Sequence, residues 1–177
     1  MSTVFLFGKL PAHGDFVCRG MTAAERDLID EWLTVEMAGA RADLGDGFLE
    51  AFDSAPPWRF AWAESGRWSA GALAPSSDSS ARRFPILLGC RQLLGEQVQP
   101  AAAQCEETIY NAVVGGWTAD RLAEEAMAWT DEWRGTAPSA EGLWWVDGGE
   151  EAEIAPVVGR RPPRLLRALL ASAGARP

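Results

Sequence analysis

The sequence predicts an α/β sandwich, a central and largely antiparallel sheet flanked by helices, as a single domain over residues 1–177. Three observations carry this. Short β-branched and aromatic runs come in pairs joined by turn residues, as hairpins require. The elements run strand, helix, two or three strands, two helices, one or two strands, helix. A chain of 177 residues that is 47% hydrophobic fills one core well and is small for two.

Residues 3–7 crowd β-branched and aromatic side chains without charge and read as a short buried strand. Residues 8–20 read as turn and loop. Thr22 and Glu25 form a capping box, in which hydroxyl and carboxylate each satisfy an orphan backbone N–H. The helix it opens carries Leu28, Ile29, Trp32, Leu33 and Met37 on one apolar face to about Ala42, and Gly45 and Gly47 end it. Residues 48–52 suit further helical turns, stopped by Pro56-Pro57. Residues 58–62 and 68–73 flank Ser65-Gly66-Arg67 and predict a hairpin. Residues 84–88 predict a central strand with Pro85 at its beginning, since a proline inside would lose a ladder bond. Helices are expected over 101–114 and 119–134, separated by Gly115-Gly116-Trp117. A strand follows at 142–146, then an edge strand within 154–158. Pro162-Pro163 opens a terminal basic helix over about 162–173, carrying Leu165, Leu166, Leu169 and Leu170.

The formal charge is −9 and is unevenly placed. Residues 91–156 hold 3 basic and 13 acidic side chains, whereas 157–177 hold 5 basic and none acidic. Such a chain lacks the basic footprint of a nucleic-acid binder. The basic tail suits neutralising the acidic 91–156 surface or supporting a helix end. No run approaches the roughly 20 apolar residues that span a bilayer, so stable membrane insertion is not expected. Cys18, Cys90 and Cys105 have no metal-ligand spacing and leave one cysteine over in any pairing, which fits a reducing compartment and a cytoplasmic location.

The run Gly8-Lys9-Leu10-Pro11-Ala12-His13-Gly14-Asp15-Phe16 concentrates chemistry-bearing residues. A phosphate loop needs several glycines before its lysine and a hydroxyl residue after it, and here Leu10 follows Lys9. His13 is the only histidine, with Asp15 two residues on. A hydrolase using this loop would take Cys18, Ser76 or Ser77 as nucleophile. One histidine with scattered carboxylates lacks clustered metal ligands. The turn reading covers more residues: Pro11 fixes φ, Gly14 permits a left-handed or crowded backbone, Lys9 and Arg19 project, and Phe16 and Val17 return to the core. A second polar island, Pro75-Ser76-Ser77-Asp78, leads through Ala81-Arg82-Arg83 into Phe84-Pro85. The two islands are expected to meet, with Asp78 and Arg82 as partners for charges of the first, for example Asp15 with Arg82 or Arg83. Nine tryptophans exceed what a scaffold needs. Trp144 and Trp145 must face opposite sides of their strand, and collectively the tryptophans predict a solvent-facing aromatic contact.

Taken together these residues resemble the TagF (ImpM) family, a domain type found in a type VI secretion accessory protein. The resemblance rests on Gly8-Lys9-Leu10-Pro11, Gly14-Asp15-Phe16-Val17, Arg19, Trp32, Pro57-Trp58-Arg59-Phe60, Gly71, Pro75-Ser76-Ser77-Asp78, Arg82-Arg83-Phe84-Pro85 and Leu143-Trp144-Trp145. Ala81 departs from it, since the family commonly has glycine before the arginine. The resemblance implies a bacterial, cytoplasmic, non-enzymatic regulator without cofactor or metal. Such a protein represses type VI secretion post-translationally, opposing a threonine-phosphorylation route and acting with a forkhead-associated domain protein of the apparatus. The candidate binding residues are Lys9, Pro11, Gly14, Asp15, Phe16, Arg19, Trp58, Ser76, Asp78, Arg82, Phe84, Pro85, Trp144 and Trp145. The competing classes are the His13/Asp15 hydrolase and a structural component of the secretion apparatus.

Overall fold

The computed structural model describes residues 3–129, 133–147 and 154–173. Strands β1 (Thr3–Gly8) and β2 (Val17–Arg19) precede helix α1 (Ala23–Leu44) and, after a single 3₁₀ turn, α2 (Phe48–Ser54). Strands β3 (Trp58–Glu64), β4 (Arg67–Ala74) and β5 (Ile86–Leu93) follow. Then come helices α3 (Val98–Gly115) and α4 (Ala119–Met127), strands β6 (Gly142–Trp145) and β7 (Val157–Val158), and α5 (Leu165–Ala173). The seven strands form one sheet in the order β2-β1-β5-β4-β3-β6-β7, with every neighbouring pair antiparallel.

The alternation of each strand sorts its side chains between two helical layers. Trp58, Phe60 and Trp62 of β3 face α1, α2 and α5, whereas Ala61 faces α3 and α4. Trp144 is fully buried on the first side, and its neighbour Trp145 packs against the second, as the strand period demands. On the first side Phe60 stacks on Trp62 at 4.3 Å and meets Trp144 at 5.0 Å. Gly71 and Gly89 pair directly across β4 and β5 beneath this aromatic layer. A Cβ at Gly89 would run into the Phe5 ring, so the sheet is notched where the rings descend. Two indole N–H groups fasten the chain before α5: Trp32 donates to the Pro162 carbonyl at 3.1 Å and Trp144 to that of Arg160 at 3.3 Å. The buried Trp58 indole N–H has no partner among the described residues.

Several expectations are corrected. The loop expected over 8–20 contains β2, three residues that pair with Leu6 to Gly8. The strand expected over 84–88 begins at Ile86, after Pro85, and runs to Leu93. The helix expected over 119–134 ends at Met127; Trp129 and Trp133 meet edge-on at 5.8 Å outside it, and 130–132 lie outside the described residues. Leu28 is exposed, and the buried stripe of α1 instead includes Glu36. The Glu36 carboxylate accepts from the backbone N–H of Arg164 at 2.7 Å and of Leu166 at 3.0 Å, satisfying orphan donors at the start of α5. Among the described residues the basic tail pairs with the first half of the chain, Arg160 with Glu64 and Arg167 with Asp43, and not with the acidic 91–156 region.

Candidate functional site

The two polar islands meet beside the β1–β5 junction. Gly8 ends β1 opposite Ile86 with φ at 139°, and a Cβ there would run into the Pro85 carbonyl. Only glycine brings the chain this close. The Lys9 backbone N–H then donates to that same carbonyl at 3.4 Å, and its side chain turns inward, leaving the residue 6% exposed.

Inside, Lys9 Nζ reaches the buried carboxylate of Asp78 at 2.8 Å. Arg82 Nε donates to the same oxygen at 2.8 Å, and the backbone N–H groups of Ser80 and Arg82 donate to the other at 2.9 and 3.0 Å. Four donors on one carboxylate satisfy its acceptor capacity. The Lys9 hydrogen bond, assisted by those of Arg82 and Ser80 and opposed by burial, holds Asp78 well below the usual carboxylate range. Further hydrogen bonds close the junction. Ser76 Oγ donates to the Lys9 carbonyl at 2.7 Å, the Ser79 N–H to the His13 carbonyl at 2.8 Å, and Arg82 Nη2 to the Gly14 carbonyl at 2.8 Å.

Asp78 thus takes a charge of the first loop as expected, but the pairing of Asp15 with Arg82 or Arg83 does not form. Asp15 accepts from the Phe16 N–H at 2.8 Å, while Arg83 pairs with Asp53 of α2 at 2.7 Å. Lys9, in place of Asp15, is the first loop's charge to the second, because a buried carboxylate requires a cation nearby. Pro11 sits inside a turn closed by the His13 N–H on the Leu10 carbonyl at 3.0 Å. Gly14 is not left-handed; a Cβ there would make ordinary contact with Ser79, and its contribution is the carbonyl that Arg82 holds.

An aromatic set lies on this frame. Phe16 stacks on Phe7 at 5.6 Å, meets Phe84 edge-on at 4.8 Å, and lies 5.1 Å from Lys9 Nζ. Val17 returns to the core as expected, but Phe16 remains 43% exposed. Ala81 has φ at 61° on the rim, in the region where glycine is at ease.

Of the expected site residues, Lys9, Pro11, Gly14, Asp15, Phe16, Ser76, Asp78, Arg82, Phe84 and Pro85 belong to this junction. The others do not. Arg19 pairs with Asp120 of α4 at 2.7 Å. Trp58 and Trp144 are core residues, and Trp145 packs on the other face of the sheet. No tryptophan reaches the surface exposure of Phe16 or Tyr110, which are the exposed aromatics among the described residues. The sequence reading missed a third wall, supplied by Met37 and Arg41 of α1 and Leu49 of α2. Arg41 lacks a helical partner of opposite charge at i−4, which was the available signal.

The hydrolase constellation is not assembled. His13 Nε2 accepts the backbone N–H of Ala119 at 2.9 Å, capping α4 beside Thr118. That lone pair cannot simultaneously act as a base. Ser76 is engaged with the Lys9 carbonyl, and burial pushes the Cys18 thiol up, away from thiolate reactivity. Cys90 and Cys105 are buried, and burial raises the Cys105 thiol well above its usual value. Among the described residues no cluster of three or more His, Cys, Asp or Glu could hold a metal ion. No helix among them is long and apolar enough to cross a membrane.

The family model described as the TagF N-terminal domain, type VI secretion system-associated, matches residues 6–134. The chain belongs to this family. The match spans both loops and the walls of the junction. As a TagF N-terminal domain the chain is a non-enzymatic protein with a regulatory role in type VI secretion, exercised through a protein partner. Among solved structures, the crystal structure of PA0076 from Pseudomonas aeruginosa PAO1 shares the fold, with a TM-score of 0.62 at 23% identity. The alignment covers 97% of this chain and 78% of that one. None of the curated proteins matches the chain.

Proposed function

We propose that this TagF-type protein is a cytoplasmic, post-translational repressor of type VI secretion that binds a forkhead-associated domain component of the apparatus. In this reading residues 1–177 act as one domain, and the junction of the 8–20 and 75–85 loops is the binding surface. The observation that carries it is the buried Asp78 carboxylate, one oxygen of which takes both Lys9 Nζ and Arg82 Nε at 2.8 Å, with half-exposed Phe16 set upon the cluster. A loop pair locked in this way loses little freedom on association, and an aromatic on a rigid base is the usual form of an interface anchor.

The test is capture of the forkhead-associated protein from cells by the tagged chain, with secretion measured in parallel. Phe16→Ala and Arg82→Ala should both lose capture and release secretion, while circular dichroism confirms that they remain folded. Retention of capture and repression by both folded variants would refute the assignment of this surface.

A further inference from the structure

A groove of about 580 Å³ opens beside Phe16, walled on one side by the two loops and on the other by α1 and the start of α2. Its floor is apolar: Phe16, Phe84, Met37 and Leu49, the last 53% exposed. Its rim is cationic, and the local charge can be counted. Lys9 and Arg82 share the single carboxylate of Asp78, which leaves one positive charge in excess. The Arg82 side chain is 63% exposed, so that excess faces solvent. Arg83 is neutralised by Asp53. Arg41 lies over the Phe48 ring at 5.1 Å and donates to the Arg83 carbonyl at 3.4 Å, and it forms no ion pair among the described residues. The groove thus carries two uncompensated cations on a chain of formal charge −9.

We infer that this groove docks an acidic segment of a partner protein, in which a large apolar side chain enters between Phe16 and Leu49 and flanking carboxylates meet Arg41 and Arg82. Charge complementarity selects this occupant. A basic or neutral segment gains nothing from the two arginines, and a second copy of this acidic chain is repelled as it approaches. The inference rests on the reading of the two-loop junction as a binding surface, and adds to it the α1 wall and the chemistry of what binds.

The experiment uses the full chain and fluorescein-labelled peptides read by anisotropy. One peptide carries Leu and Phe anchors flanked by glutamates; three controls replace the glutamates by Gln, the glutamates by Lys, or the anchors by Ser. The Glu peptide should bind about tenfold tighter than the Gln and Ser peptides at low salt, and high salt should erode that preference. Arg41→Gln and Arg82→Gln should each weaken it about threefold to tenfold, mainly by slowing association. Arg41→Glu, which brings the groove's excess of two positive charges to zero, should abolish the preference for the Glu peptide over the Lys peptide. Equal binding of the Glu and Lys peptides, no binding of any peptide, or indifference to Arg41→Glu in a folded variant would overturn the inference. Concentration-dependent dimerisation abolished by Arg41→Glu would overturn it in favour of a second copy. The outcome separates the two proposals. Loss of forkhead-associated protein capture on Phe16→Ala without peptide binding removes the groove chemistry alone. Peptide binding that needs Arg41, with capture indifferent to both Phe16→Ala and Arg82→Ala, removes the partner assignment alone.

Discussion

The Lys9–Asp78 pair offers the sharpest test of how the junction is held. Lys9→Met keeps most of the side-chain volume and removes one charge-assisted hydrogen bond from a carboxylate that accepts four. Breaking a buried pair outright costs about 3–5 kcal/mol because the remaining charge is stranded. Here Asp78 keeps Arg82 and two backbone donors, so the cost falls to that of one strong hydrogen bond, about 1.5–3 kcal/mol. With a urea m-value of about 2 kcal/mol/M, the unfolding midpoint should fall by about 1 M. The pH dependence gives a second reading. The folded pKa of Asp78 is depressed below its unfolded value of about 4. Its stabilisation is therefore complete above that value and is lost as pH falls through it and below. Lys9→Met should flatten this acid limb. The double variant Lys9→Met/Asp78→Asn should cost less than the sum of the single variants. A midpoint shift below about 0.3 M, or strict additivity in the cycle, would refute the shared-carboxylate account.

Three further outcomes follow from the geometry. Ala81→Gly should stabilise the protein by about 0.5–1 kcal/mol in chemical denaturation, since relief of a left-handed alanine, about 1–2 kcal/mol, outweighs the added freedom of glycine in the unfolded chain. Gly8→Ala should cost about 3 kcal/mol or more, because its φ of 139° and the Pro85 carbonyl both oppose a Cβ; a stability unchanged within 1 kcal/mol in the same assay would contradict it. Glu36→Ala should cost about 2–4 kcal/mol by leaving two backbone donors of α5 without their charged acceptor, with Glu36→Gln recovering part, and hydrogen exchange should rise first at Leu166.

What was legible in the chain tracks how local its cause is. Helix α1 could be placed because its capping box joins Thr22 to Glu25, and both halves of that box are formed. The β3–β4 hairpin was equally plain, its turn at Ser65-Gly66 lying between aromatic runs. Strand β2 was not, because three residues including an exposed arginine carry no alternation signal, and pairing with β1 alone makes them a strand. Glu36 carries no comparable local signal. Its acceptor role depends on donors 128 and 130 residues away, which no periodicity can reveal. The loop junction was half legible: residue types announced that two polar islands would meet, but which cation reaches Asp78 depends on the depth at which β1 ends.

The same depth decides what the site can do. Three of the reactive groups near the first loop are committed to holding the structure: His13 caps α4, Ser76 holds the Lys9 carbonyl, and Asp78 is saturated by donors. A catalytic loop holds a base and a nucleophile within reach of each other, and His13, the base this loop offers, is spent on the Ala119 N–H. What faces solvent over the apolar floor is an exposed ring and two arginines whose charge is not fully neutralised. Groups of that kind recognise without reacting, since arginine keeps its proton at all working pH and phenylalanine has none to give. The chemistry spent in closing the loops is thus what leaves the surface suited to binding.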